Sequence, residues 1–146
     1  MSEPKRPARE PIQHNPKGDR PEPESRRLAL RVTMMPRDTN HYGTIFGGVI
    51  LSLIDQAGFV EARTHGSHRW VTAAIDRVEF VAPVQVGDVV SLYTTTLRTG
   101  RTSVTVGVEV DAERYASGET ARVTSATMTM VSVDEAGAPI PFSGGE

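Results

Sequence analysis

Residues 47–65 read Gly47-Gly48-Val49-Ile50-Leu51-Ser52-Leu53-Ile54-Asp55-Gln56-Ala57-Gly58-Phe59-Val60-Glu61-Ala62-Arg63-Thr64-His65, and this stretch decides the fold. Val49, Ile50, Leu53, Ile54, Ala57 and Val60 fall on one face when successive residues turn by about 100°. That spacing predicts one long amphipathic helix. On either side of it the apolar period changes from 3.6 to 2. Upstream, Leu28, Leu30, Val32 and Met34 alternate with Ala29, Arg31 and Thr33, a strand that Pro36 should end. Downstream come four β-rich runs: Trp70 to Ala82, Val89 to Arg98, Thr102 to Tyr115, and Glu119 to Val133. Val104, Val106, Val108 and Val110 alternate with Thr105, Gly107, Glu109 and Asp111, as in a half-buried antiparallel strand. Thr99-Gly100 and Ser117-Gly118 supply the turns on either side of that run. One strand, one helix and four strands predict an α+β domain with the helix laid on a five-stranded antiparallel sheet. A single helix leaves a sheet face or edge uncovered, so self-association is a physical expectation.

The 146 residues fit one domain, and the 38% apolar content can supply one core. Residues 1–27 hold six of the ten prolines, charges of both signs, and only Met1 and Ile12 as sizeable apolar residues. Such a segment cannot offset its ordering entropy by burial, which predicts a disordered tail over 1–27, a domain over 28–142 and a flexible end over 143–146. Beyond the tail, nine Arg stand against thirteen Asp and Glu. That balance offers no broad basic face, so nucleic acid is not an expected partner. With no Cys, a disulfide, a thiolate metal site and a cysteine nucleophile are all excluded. No run approaches the roughly 18 apolar residues of a membrane span, and no secretory signal opens the chain. A soluble cytoplasmic protein is expected. His65 and His68 are three apart, but without a third ligand nearby they predict no metal site. Trp70, the only Trp, reads as strand packing.

Asp55 lies on an apolar arc of the helix separate from its core stripe, with Leu51 at i−4 and Phe59 at i+4. Partial desolvation by those neighbours would raise its basicity, as a general base requires. An exposed Asp with apolar neighbours fits the same wheel, and the spacing alone leaves both readings open. The helix is approached through a polar loop, Pro36-Arg37-Asp38-Thr39-Asn40-His41-Tyr42-Gly43-Thr44-Ile45-Phe46, that ends at Gly47-Gly48. A helix start presents unpaired N–H groups, and glycines let a carbonyl approach them. Donors so placed lower an acyl-transfer barrier by roughly 3–4 kcal/mol, and a positioned base adds about 10²–10⁴-fold in rate. The paired glycines could equally serve close helix packing.

The run from Pro36 to Gly48 followed by Leu51-Ser52-Leu53-Ile54-Asp55-Gln56-Ala57-Gly58 resembles the hot-dog-fold acyl-CoA thioesterases, the bacterial broad-specificity acyl-CoA hydrolases and their eukaryotic cytosolic relatives. Val78-Glu79-Phe80-Val81-Ala82-Pro83-Val84-Gln85-Val86-Gly87-Asp88-Val89-Val90, Arg101-Thr102-Ser103-Val104 and Val131-Ser132-Val133-Asp134 continue the likeness in order. The resemblance implies a central helix wrapped by an antiparallel sheet, hydrolysis of acyl-CoA without a cofactor, and active sites between the subunits of a dimer, often within a trimer of dimers. It implies Asp55 as the catalytic carboxylate, general base or nucleophile, with Asn40 of the opposite subunit orienting water or substrate. The N–H groups near Gly47 or Gly48 would polarise the thioester carbonyl, with Phe46 beside them on the substrate. Arg98, Arg101, Thr102 and Ser103 correspond to the turn that meets the nucleotide part of CoA. Glu61 and Gln56 depart from the family, which places apolar residues at both positions. Two rivals share the fold: an enoyl-CoA hydratase, whose Asp-x-Asn-Pro-x-His loop is only begun by Asp38-Thr39-Asn40, and a non-catalytic acyl-CoA-binding regulator.

Overall fold

The computed structural model describes residues 25–142. Strand β1 (Arg27–Thr33) leads through a short 3-10 turn (Pro36–Asp38) into helix α1 (Gly47–Arg63). Strands β2 (Arg69–Phe80), β3 (Val89–Thr99), β4 (Ser103–Glu113) and β5 (Thr120–Val133) follow. They form one five-stranded sheet in the order β1-β3-β4-β5-β2, every neighbour antiparallel. The helix packs against all five strands, so the sheet curls around it. Val104, Val106, Val108 and Val110 line the inside of β4 as the alternation requires, facing Ile50, Ile54 and Ala57. Among the described residues strand β2 lies at an edge with only β5 beside it, and an edge strand turns a row of backbone groups outward that can pair with another chain.

Two apolar residues stand on the other side from the one their period predicts. Leu28 is 51% exposed because a bulge at Ala29 shifts the register: Leu28 pairs with Tyr93 on the outer face, whereas Leu30 pairs with Leu92 in the core. Val60, expected in the core stripe, is 40% exposed. The stripe in fact runs Ile50, Ile54, Ala57, Gly58, Glu61 and Ala62. Glu61, which stands where the family places an apolar residue, is buried at 1% exposure. Thr94 Oγ1 donates to its Oε1 at 2.9 Å, Thr96 Oγ1 donates to Oε2 at 2.6 Å, and Arg27 pairs with it at 3.3 Å. A buried carboxylate with its lone pairs met in this way joins α1 to β3 instead of breaking the packing.

Gly58 is the point of closest approach. A Cβ there would lie 2.1 Å from Met128 Sδ and 3.2 Å from its Cγ, and Met128 is itself fully buried. Gly58→Val therefore forces overpacking, and urea unfolding should show a loss of about 1–3 kcal/mol, although Gly is the poorer helix former by roughly half a kcal/mol or more.

Arg26 and Arg27, read from sequence as tail, are held by the domain. Arg26 pairs with Glu109 at 3.2 Å and lies 4.0 Å over the Tyr93 ring. Glu109 also meets Arg122 at 2.7 Å, and Arg122 meets Asp111. Burial alone would lower the Arg122 pKa, but Asp111 and then Glu109 hold it above its usual value. The tail reading of residues 1–24 and the flexible end at 143–146 lie outside the described residues.

Candidate active site

Asp55 sits in the middle of α1 on its exposed side. Of the two readings the helical wheel leaves open, the single chain has the exposed one, with Leu51 and Phe59 themselves exposed beside Asp55. What the structure adds is a partner: Thr72 Oγ1 on β2 donates to Asp55 Oδ1 at 2.5 Å. One carboxylate oxygen is thus fixed, and Oδ2 is left to meet a water or substrate. Sequence reasoning missed Thr72, which reads as an ordinary β-former. The available signal was a hydroxyl on the inward face of β2, two residues after the buried Trp70.

Asp55 and Thr72 line a pocket of about 460 Å³ together with Leu30, Gln56, Phe59, Val60, Trp70 and Met130. Apolar side chains make most of that wall, and among the described residues Asp55 is its one formally charged group. An apolar hollow with one carboxylate in its wall suits a ligand with a hydrocarbon arm and a reactive polar end.

The helix start is open. Phe46 is the N-cap and gives no side-chain hydrogen bond, so the amides of Gly47 and Gly48 retain the unpaired character of a first helical turn. Among the described residues a Cβ at Gly48 would meet nothing within 4 Å, and at Gly47 only the Phe80 ring at 3.5 Å. Within this chain, then, packing does not require glycine at position 48, and Phe46 is exposed beside it.

Asn40 organises the preceding loop. Its Oδ1 accepts from the amides of Tyr42 at 2.9 Å and Thr44 at 3.2 Å, while Nδ2 donates to Thr44 Oγ1 at 2.9 Å. One Nδ2 hydrogen is left over, so the loop role and a ligand contact are compatible. No hydrogen bond joins Asn40 to Asp55 among the described residues. Arg98 and Arg101 are exposed at the β3–β4 turn, with Thr102 and Ser103 half-buried; the turn closes through Gly100 N–H to the Ser103 carbonyl at 2.7 Å. The Thr102 carbonyl accepts from Ser132 N–H, which ties the turn to the end of β5 beside Trp70. The structure therefore brings together Asp55, Thr72 and the pocket, and holds Asn40, the helix start and the Arg98–Ser103 turn apart from them.

The two histidines are engaged separately. His65 Nε2 meets Thr96 Oγ1 at 2.8 Å, and His68 Nε2 donates to the Phe142 carbonyl at 2.8 Å. Among the described residues no group of three or more His, Asp or Glu could hold a metal ion, and no helix is long and apolar enough to cross a membrane.

The profile of the Thioesterase superfamily matches residues 42–117. An uncharacterized acyl-CoA thioester hydrolase of Haemophilus influenzae is 43% identical over 113 residues, covering 75% of this chain and 73% of the relative. A hexameric hotdog-fold thioesterase of Campylobacter jejuni superposes with a TM-score of 0.76 at 44% identity, covering 80% of this chain and 90% of its own. A hexameric broad-specificity acyl-coenzyme A thioesterase, solved with an aspartate replaced by alanine, does so with a TM-score of 0.74 at 42% identity, over 79% of this chain and 85% of its own. The helix wrapped by its sheet thus has the company its sequence suggests, and the chain belongs to the thioesterase superfamily, with the hot-dog-fold acyl-CoA thioester hydrolases.

Proposed function

We propose that the chain hydrolyses acyl-CoA to a free carboxylic acid and CoA, with Asp55 as the reacting carboxylate and each site shared by two copies. The observation that carries this reading is Asp55 held by Thr72 in the lining of a mainly apolar pocket. Acting as a base, Asp55 takes a proton from water as the water oxygen bonds to the thioester carbon. The carbonyl electrons move onto an oxygen that helix-start N–H groups stabilise. Collapse of that adduct breaks the C–S bond, and the CoA thiolate leaves and is protonated. The nucleophilic route starts from the same carboxylate, through an acyl anhydride that water then cleaves.

The need for a second copy follows from helix geometry. Gly48 and Asp55 are seven residues apart, hence on one face but roughly 10 Å apart along the axis. One thioester cannot meet both groups of one helix. Two antiparallel helices related by a two-fold axis can place Asp55 of each opposite Gly48 of the other, with the axis passing between Leu51 and Ser52. Both residues are exposed, and Ser52 and Gly48 are small enough for a close approach. Asn40 of the partner copy then lies on the helix-start side of the site.

The same symmetry suits CoA. Trp70 and the Arg98–Ser103 turn share one end of the sheet. The acyl and CoA arms leave the thioester in opposite directions, so a substrate with its acyl arm in one copy's pocket reaches the partner's turn. There Arg98, Arg101, Thr102 and Ser103 suit phosphate oxygens. The two hexameric relatives support a trimer of such dimers, which light scattering would measure.

Thiol release from a panel of acyl-CoAs tests the reaction. Hydration of crotonyl-CoA without CoA release would favour the hydratase instead, and binding without turnover a regulator. Thr72→Val, the same shape without the hydroxyl, should lower kcat by about 10- to 150-fold while the fold persists, because a hydrogen bond to a charged group contributes roughly 1.5–3 kcal/mol.

A further inference from the structure

We infer that Trp70, braced by Phe142, is the end wall of the acyl pocket and sets the length of acyl chain the enzyme accepts. The inference rests on the thioesterase reading and names the specificity of that same site.

Helix α1 and strand β2 meet at one end of the domain, where the Trp70 indole Nε1 donates to the Gly66 carbonyl at 3.0 Å. From Asp55 toward that end the pocket follows Phe59 and Val60 on the helix, and Trp70 beyond Thr72 on the strand. Two strand residues advance about 6–7 Å, and four helical residues advance about 6 Å. Counted from the carboxylate, such a depth takes roughly five carbon–carbon bonds of about 1.5 Å each in zigzag.

The wall is fixed in place from behind. After β5, Asp134–Gly137 form a tight turn, with Gly137 at φ 87°, and the chain returns so that Pro139 bridges to Val133 and Ile140 N–H donates to the Ser132 carbonyl at 2.8 Å. That return places Phe142, 5% exposed, with its ring centroid 5.1 Å from that of Trp70 and 5.9 Å from that of His65. His68 Nε2 holds the Phe142 carbonyl at 2.8 Å and sets its ring edge-on to Trp70. Trp70 is itself only 5% exposed. A large ring held by an indole hydrogen bond and two aromatic neighbours cannot swing aside without losing all three. Both histidines, from which the sequence predicts no metal site, serve this brace through their contacts with Phe142.

The chain's only Trp is thus its own reporter. In Asp55→Asn protein, which should bind without turnover, hexanoyl-CoA is expected to shift the emission of Trp70, whereas CoA and acetyl-CoA leave it unchanged. In active protein, kcat/KM should fall beyond hexanoyl-CoA. Trp70→Ala should raise the octanoyl-to-butyryl ratio of kcat/KM by about tenfold or more, since each methylene accepted by an apolar pocket is worth roughly 10–200-fold. Phe142→Ala should move the ratio the same way by less, and Trp70→Phe should largely keep the wild-type profile. Identical emission with CoA and hexanoyl-CoA, once calorimetry has shown both bound, would overturn the inference. So would an unchanged length profile in folded, active Trp70→Ala and Phe142→Ala. Absence of CoA release from any thioester by wild type would instead count against the thioesterase reading, and the binding measurement would still decide the wall.

Discussion

Asp55→Asn protein should release CoA from acyl-CoA about 10²–10⁴-fold more slowly than wild type, the range a positioned base contributes. The substitution is nearly isosteric. Asn keeps an oxygen that can accept from Thr72 Oγ1, and the residue is exposed, so folding is undisturbed. Removed are the negative charge and the basic oxygen, which both the general-base and the nucleophilic routes require. The defect should therefore fall on kcat, with KM little changed, since the acyl arm and CoA contact other groups. Stopped assays of free thiol, with a melting curve on the same sample, check it. Equal release by both proteins, with the melting curves coincident, would remove Asp55 from the chemistry.

The second large effect is a recovery. Asp55→Asn and Gly48→Val proteins should each be nearly inactive alone, and co-expression should restore about a quarter of wild-type activity. Random pairing of two-fold dimers makes half of them hybrid, and each hybrid holds one site with both lesions and one with neither. Gly48→Val is suited to the test because a Cβ at that position meets nothing within 4 Å among the described residues of its own chain. Asn40→Ala offers an independent partner for Asp55→Asn, although it also removes the hydrogen bonds that shape the 40–44 loop. A mixture no more active than its parents, with hybrids demonstrated by differential tags, would mean that both halves of the site lie in one chain.

The fold was legible where periodicity is local. The helix over Gly47–Arg63 and the alternating valines of β4 follow from the spacing of apolar residues alone. The bulge that turns Leu28 outward was not, because register depends on Tyr93 and Leu92, more than sixty residues away in sequence. Glu61 shows the same limit in the core. A helical wheel weighs a carboxylate as polar and sends it to solvent, but cannot see that Thr94 and Thr96 wait on β3 with two hydroxyl donors. At the site, Asp55, Asn40 and the glycine pair were marked by resemblance and by the special properties of a helix start. Thr72 carried only the faint signal of a hydroxyl in step with Trp70, and the Trp70–Phe142 pairing carried none, since their roles arise only when β2 lies along the helix and the chain folds back after β5.

Gly58 gives the helix an azimuth as well as a position. With its bare Cα against Met128, α1 fits its sheet in one rotational setting. Turning it by a single residue would swing Asp55 through about 100°, out of reach of Thr72, and would drive a side chain into Met128. Such a helix behaves as a keyed shaft. A change of substrate preference in this protein therefore has to come from exchanging the walls, because the bearing that aims the carboxylate has no play.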